Sequence, residues 1–324
     1  MKHQYNKERY KKFCEERSDI PLFMQAWWMD AVCTPENKVW DVLFCEENGK
    51  ILGVMPYHLL EKWGFKVIVQ PQLTQYNGFW IDYPPDCKLY KRYSFEKKVM
   101  DNLIAQLDSL KIDFYSQNFH YSFTNWQPFY WKGFKQMTRY TYILKNIDDI
   151  DVVFNNFHPR YKQRIRKSVN EYSVDFNLSP NEFYQFHKNS LQEKKEKISY
   201  SEQLFNSIYE EATERKQGKI IAVRDKKENL LSAMFFIWDT HSGYKLITAR
   251  KIDEHSNNVS VFMDWETLKF LQDKTQNYDF EGSIIEGVAL FNQYLSAKQM
   301  PYFNIEKSYS KVFSLLKKIR NGNS

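Results

Sequence analysis

Residues 279–305 read "DFEGSIIEGVALFNQYLSAKQMPYFNI", and this stretch decides the fold. It opens on a strand end carrying Asp279 and Glu281, breaks at Gly282, continues as a helix through "IIEGVALFNQYL", and closes on the lysine-led strand "KQMPYFNI". The apolar spacing switches from strand period to helix period and back. Similar letters occur once before. Asp113 and Phe114 open a segment that reaches Lys135, Gln136 and Met137, as Asp279 and Phe280 lead to Lys298, Gln299 and Met300. A duplicated strand, helix and strand unit is the expectation.

Working outward, "KIIAVRDK", "LLSAMFFIWDT" and "GYKLITARKI" are strand-like runs broken by "KENL" and "HSG", an antiparallel meander followed by the helix "VSVFMDWETLKFLQDKT". Before them lie a strand "RYTYIL", one helix around "DVVFNNFHPRYKQRIRKSV", a strand "SVDFNL" and two polar helices over 181–217. The first half runs similarly. Two short helices precede the strands "WDVLFCEE", "KILGVMPYHLL" and "FKVIVQPQL", then come the helix "FEKKVMDNLIAQLDSL", the strand "KIDFYSQNF", a helix-like "TNWQPFYWKG" and the strand "KQMTRYTYIL". The expected class is α/β (α+β): two tandem units, 1–147 and 148–324, each a mixed, mostly antiparallel sheet flanked by helices.

Composition agrees. The chain has 324 residues, 43% of them apolar, enough for two cores. Its net charge of +6 is a mild excess that implies no DNA binding. The N-terminus lacks an apolar leader and no run is long enough to cross a membrane, so a cytoplasmic chain is expected. Cys14, Cys33, Cys45 and Cys87 form no CxxC pair and read as reduced structural thiols; no metal site is expected from these or from the seven scattered histidines. There is no GxSxG, Walker loop or GxGxxG, and ten glycines leave little material for a phosphate cradle.

The doubled element order, with "NNFHPRYKQRIRKSVNEYSV" and the 279–305 stretch, resembles the FemAB-like transferases, which pair two units of the GNAT acyltransferase fold. The resemblance covers nearly the whole chain. "SQNFHYSFTNWQPFYWKG" and "DFEGS" are similar to segments of acetyltransferase-type members from bacterial envelope and polysaccharide loci. It implies N-acyl or aminoacyl transfer to an amine of an envelope or polysaccharide precursor, with acyl-CoA or aminoacyl-tRNA as donor. It also implies a phosphorylated small-molecule or lipid-linked acceptor, tRNA as a donor partner, and a place at the inner face of the membrane.

Candidate residues follow. In "HPRYKQRIRK", 158–167, Phe154, Phe157, Tyr161 and Ile165 would form one helical stripe, leaving Arg160, Arg164 and Lys167 on a basic face suited to phosphate. A solvated face, RNA or anionic lipid would suit it equally. Glu281, beside Asp279 by strand alternation, is the candidate base for the acceptor amine, against the alternative that it caps or pairs with Lys298 or an arginine. Lys298 itself is a candidate substrate contact.

In the tRNA-dependent relatives a phenylalanine and a lysine occupy the following helix, where Phe291 and Asn292 stand here. The donor loop of GNAT enzymes corresponds to "DEHSNNVSVF", 253–262, which has no glycine; Asn257 and Asn258 would supply left-handed backbone, and Ser256 or Ser260 a helix cap. In the aromatic segment 114–131, Phe119, Phe123, Trp126 and Tyr130 fit a helical core stripe, while Gln117, Asn118, His120 and Tyr121 are candidates for a cleft rim, with Tyr76 in "QLTQYNGFW". Two other functions stay open: a non-catalytic binding protein for a phosphorylated sugar or lipid, and an RNA-binding protein.

Overall fold

The computed structural model describes residues 2–62, 64–251, 256–282 and 284–322, and the chain divides into two compact units, Met1–Arg139 with Pro301–Ser324, and Tyr140–Met300. The sequence reading cut the chain once, after residue 147. The grouping differs because the last strand pairs along 304–308 with residues 118–114 of the first unit.

The elements in chain order are α1 (Lys2–Glu15), α2 (Ala26–Cys33), β1 (Val39–Glu47), β2 (Lys50–Lys62), β3 (Phe65–Val69), β4 (Trp80–Ile81), α3 (Leu89–Ser109), β5 (Phe114–Asn118), α4 (Gln127–Trp131) and β6 (Lys135–Lys145). There follow α5 (Ile150–Asn156), α6 (Pro159–Ser168), β7 (Tyr172–Asp175), α7 (Pro180–Glu193), α8 (Glu202–Glu214), β8 (Gly218–Asp225), β9 (Leu230–Trp238) and β10 (Ser242–Arg250). The chain continues with α9 (Ser256–Leu271), β11 (Asn277–Asp279), α10 (Glu286–Tyr294), β12 (Lys298–Ser308) and α11 (Lys311–Gly322).

In the first unit the strand order is β1-β2-β3-β5-β12, with β4 beside β2; β3 and β5 are parallel and the other pairs antiparallel. Its core joins Met55, Tyr57, Ile68 and Tyr115 of the sheet to Val99, Leu103 and Leu107 of α3. In the second unit the order is β6-β11-β10-β9-β8-β7, with β10 and β11 parallel. Strand β9 is apolar nearly throughout because both of its faces are covered. Successive side chains of a strand point to opposite faces, and Phe235 meets Phe205 of α8 (5.5 Å between ring centres) while Phe236 meets Phe270 of α9 (5.5 Å).

One expected helix and one expected helical stripe are interrupted. The run through 151–169 breaks at His158: Pro159 stands at the first position of α6, and the residue before a proline is pushed out of helical backbone. Phe154 and Phe157 therefore precede α6, whose buried stripe is Tyr161, Ile165 and Ser168. The 114–131 segment is a strand, an irregular stretch and the short α4, so its aromatics do not share a helical face; Phe119 is buried while Tyr130 is 62% exposed.

Candidate functional site

Strand β11 pairs with β10 on one side and β6 on the other, and both ladders stop at Asp279. Alternation therefore does not reach Glu281. What places it is a turn: the buried Asp279 Oδ1 accepts the Glu281 backbone N–H at 2.8 Å and the Thr141 hydroxyl, while the Phe280 N–H donates to the Tyr142 carbonyl at 2.9 Å. Glu281 takes left-handed backbone (φ 60°), a conformation that costs a non-glycine residue about 1 kcal/mol. Gly282 is required next, since a Cβ there would lie 2.0 Å from the Tyr140 carbonyl oxygen.

The Glu281 carboxyl is enclosed at one oxygen. Oε1 is buried without a hydrogen-bond partner, and the group forms no ion pair with Lys298 or an arginine among the described residues. Burial pushes its pKa well above the usual carboxylate range, and the neighbouring Asp279 pushes it further. Such a group is a stronger base, once ionised, than a solvated glutamate.

Near the ring of Phe280, the residue before Glu281, stands an ion pair that spacing along the chain does not reveal. Lys245 of β10 donates to both oxygens of Asp264 on α9 at 2.8 Å, and Asp264 is fully buried. Burial raises the Asp264 pKa, with Lys245 opposing. The Lys245 ammonium lies 5.4 Å from the Phe291 ring centre and 5.9 Å from that of Phe280. Thus a lysine does stand next to Phe291, supplied from the sheet. Asn292 is buried instead, its Nδ2 unpartnered among the described residues.

Aromatic contacts lead from there to the basic helix. Phe291 meets Tyr161 (5.5 Å), Tyr161 meets Tyr294 (5.5 Å), and His158 stacks on Tyr294 (4.5 Å, 15° between planes). The Arg164 guanidinium sits over Tyr161 at 5.3 Å. Arg160 and Lys167 are exposed, Arg164 is half-buried, and none of the three pairs with a carboxylate among the described residues. Contacts thus connect Phe280, Lys245, Phe291, Tyr161 and Arg164 within the second unit, with Glu281 next to Phe280 in the chain; Lys298 is exposed at the head of β12.

The other candidates are placed elsewhere. Asn258 lies inside α9, so its backbone is helical and not left-handed. Ser260 is buried with Arg250 donating to its hydroxyl at 3.4 Å. The side chains of Ser256 and Asn257, and residues 252–255 of the expected donor loop, lie outside the described residues.

In the first unit Gln117 is fully buried, donating to the Pro56 carbonyl (3.2 Å) and accepting from the Tyr115 hydroxyl (2.8 Å), so it is a sheet-internal residue and no rim. Asn118 donates to the Gln75 carbonyl (3.1 Å) and accepts from Asn304 (3.0 Å). Tyr76 is buried against Phe23 and His120, and the half-buried His120 also contacts Tyr121.

No cluster of metal-ligating side chains occurs among the described residues, and no helix among them is long and apolar enough to cross a membrane.

No family model and no curated protein matches this sequence. Solved structures do. FemX superposes with a TM-score of 0.70 at 12% identity, over 92% of this chain and 95% of that one. A tandem GNAT protein from the clavulanic acid biosynthesis pathway gives 0.56 at 7% identity, over 95% and 96%. The C-terminal domain of a protein assigned as a lysylphosphatidylglycerol synthetase from Agrobacterium fabrum gives 0.56 at 7%, over 98% and 96%. At these identities the likeness shows the fold: two tandem GNAT-like units.

Proposed function

We propose that this chain transfers an acyl or aminoacyl group to an amine of a phosphorylated cell-envelope or polysaccharide precursor. The observation that carries the reading is the carboxyl of Glu281 just past β11, one oxygen of which is buried without a hydrogen-bond partner among the described residues, in a fold shared with FemX and a tandem GNAT protein. The lysylphosphatidylglycerol synthetase assignment of a third similar structure fits an aminoacyl group passing to a phosphate-bearing acceptor.

In this reading Glu281 accepts a proton from the acceptor amine as its nitrogen attacks the donor carbonyl carbon. The new N–C bond forms while the bond to the leaving group breaks, and the departing thiolate of coenzyme A or ribose alkoxide of tRNA takes up the proton that Glu281 accepted from the amine, returning the carboxylate. No covalent enzyme intermediate is needed. Arg160, Arg164 and Lys167 hold a phosphate of donor or acceptor, the forked guanidinium groups matching paired oxygens. Lys245 supplies positive charge beside Phe291, where developing negative charge on the carbonyl oxygen is steadied.

A second reading, a non-catalytic GNAT-fold protein that binds a phosphorylated sugar or lipid, is favoured by the lack of glycine in 253–262. Native mass spectrometry against acyl-CoAs, charged tRNA and nucleotide-linked amino sugars, followed by incubation of bound donors with bound acceptors, separates the two. Consumption of a donor with an amide product is expected; an acceptor bound while every donor is ignored would transfer the weight to the binding protein.

A further inference from the structure

Helix α11 presents its apolar side to solvent. Phe313 anchors it, packed against Phe65 (5.3 Å) and Phe114 (5.2 Å), and Lys317 donates to Glu306 at 2.7 Å. Away from this anchor, Val312, Leu315, Leu316 and Ile319 are 61%, 60%, 44% and 56% exposed. Their spacing of three, four and seven makes one helical stripe, on the side where an ordinary surface helix carries charge. The helix sequence, KVFSLLKKIRNG, holds four basic residues and no acid. Lys311 and Lys318 pair with no carboxylate among the described residues.

A cavity of about 480 Å³ opens beside the stripe, lined by Ser308, Ser310, Lys311, Ser314, Leu315 and Lys318. Leu315 belongs to both cavity and stripe. Hydroxyls and ammonium groups thus meet an apolar band at one edge, which is the chemistry of a phospholipid: phosphate oxygens for the donors, acyl chains for the band. We propose that α11 docks the first unit on an anionic phospholipid surface, a headgroup phosphate occupying this cavity and the stripe entering the acyl boundary. A second copy of the chain is a poorer occupant, because a two-fold contact through this helix would bring its lysines against one another. The inference is independent of the transfer reading.

The test is cosedimentation of the full chain with phosphatidylglycerol/phosphatidylcholine vesicles and with phosphatidylcholine vesicles alone. Retention on the anionic vesicles is expected, weakened about tenfold or more by Leu315→Glu with Ile319→Glu, and about fivefold by Lys318→Gln. Both apolar positions are exposed, so unchanged circular dichroism melts should accompany the loss. Equal retention on both vesicle types, no retention, or retention unaffected by the glutamates would overturn the proposal. So would a vesicle-free dimer, seen by light scattering, that Leu315→Glu dissociates.

Discussion

At the carboxyl end of β5 in the first unit, the side-chain amides of Gln117 and Asn118 are each hydrogen-bonded at both oxygen and nitrogen. At the corresponding end of β11 in the second unit, Asp279 spends its Oδ1 on the turn that follows, and Glu281 beyond it keeps a buried oxygen without a partner among the described residues. The same strand position thus fastens a sheet in one unit and encloses an ionisable group in the other. Buried polar groups left unpaired are destabilising, so their retention marks where chemistry is to be sought.

The largest effect is expected from Lys245→Met, which strands the fully buried Asp264 charge and should destabilise the protein by about 4 kcal/mol in chemical denaturation; adding Asp264→Leu should recover most of this. Gly282→Ala places a methyl on the Tyr140 carbonyl and should cost about 3 kcal/mol. Gly133→Ala, left-handed but in open space, should cost only about 1 kcal/mol.

Opposite signs are expected at the two strand ends. Gln117→Glu buries a charge among satisfied partners and should cost about 3 kcal/mol. Glu281→Gln should stabilise by about 1 kcal/mol at neutral pH while slowing the proposed transfer about 100-fold. The sign follows from the raised pKa of Glu281: its stabilising protonated form is present below the unfolded carboxyl pKa and is lost as pH rises through the folded value.

The buried histidines act in the opposite direction to Glu281. His58 in the first and His187 in the second are buried, and burial lowers each pKa to about 4. Between about 6.5 and 4 the unfolded chain takes up protons that the folded one excludes, so stability falls with pH across that window. His58→Leu should remove about 2 kcal/mol of this dependence, read from melts at pH 7 and pH 4.5.

Much of this architecture was legible. The second meander announced itself in three apolar runs, and "KQM" does head both β6 and β12. The "DF" match is a coincidence of letters: Asp113 precedes β5, whereas Asp279 ends β11. The break at Pro159 was readable from the proline rule, but the apolar spacing across it suggested continuity. Lys245 and Asp264 were missed because their partnership spans two elements; the available signal was a lone charge within each of two apolar runs, "GYKLITARKI" and "VSVFMDWETL". Glu281 was singled out by residue type, while its turn depends on the Asp279 carboxylate and on the tertiary approach of β6 to Gly282.

The most direct measurement is a carbon-13 NMR titration of the glutamate carboxyls, with the Glu281 resonance identified by its absence in Glu281→Gln. A midpoint well above the ordinary glutamate value of about 4.3 is expected. A midpoint in the ordinary range would mean that the carboxyl is solvated or paired, and would contradict its place at the centre of the site.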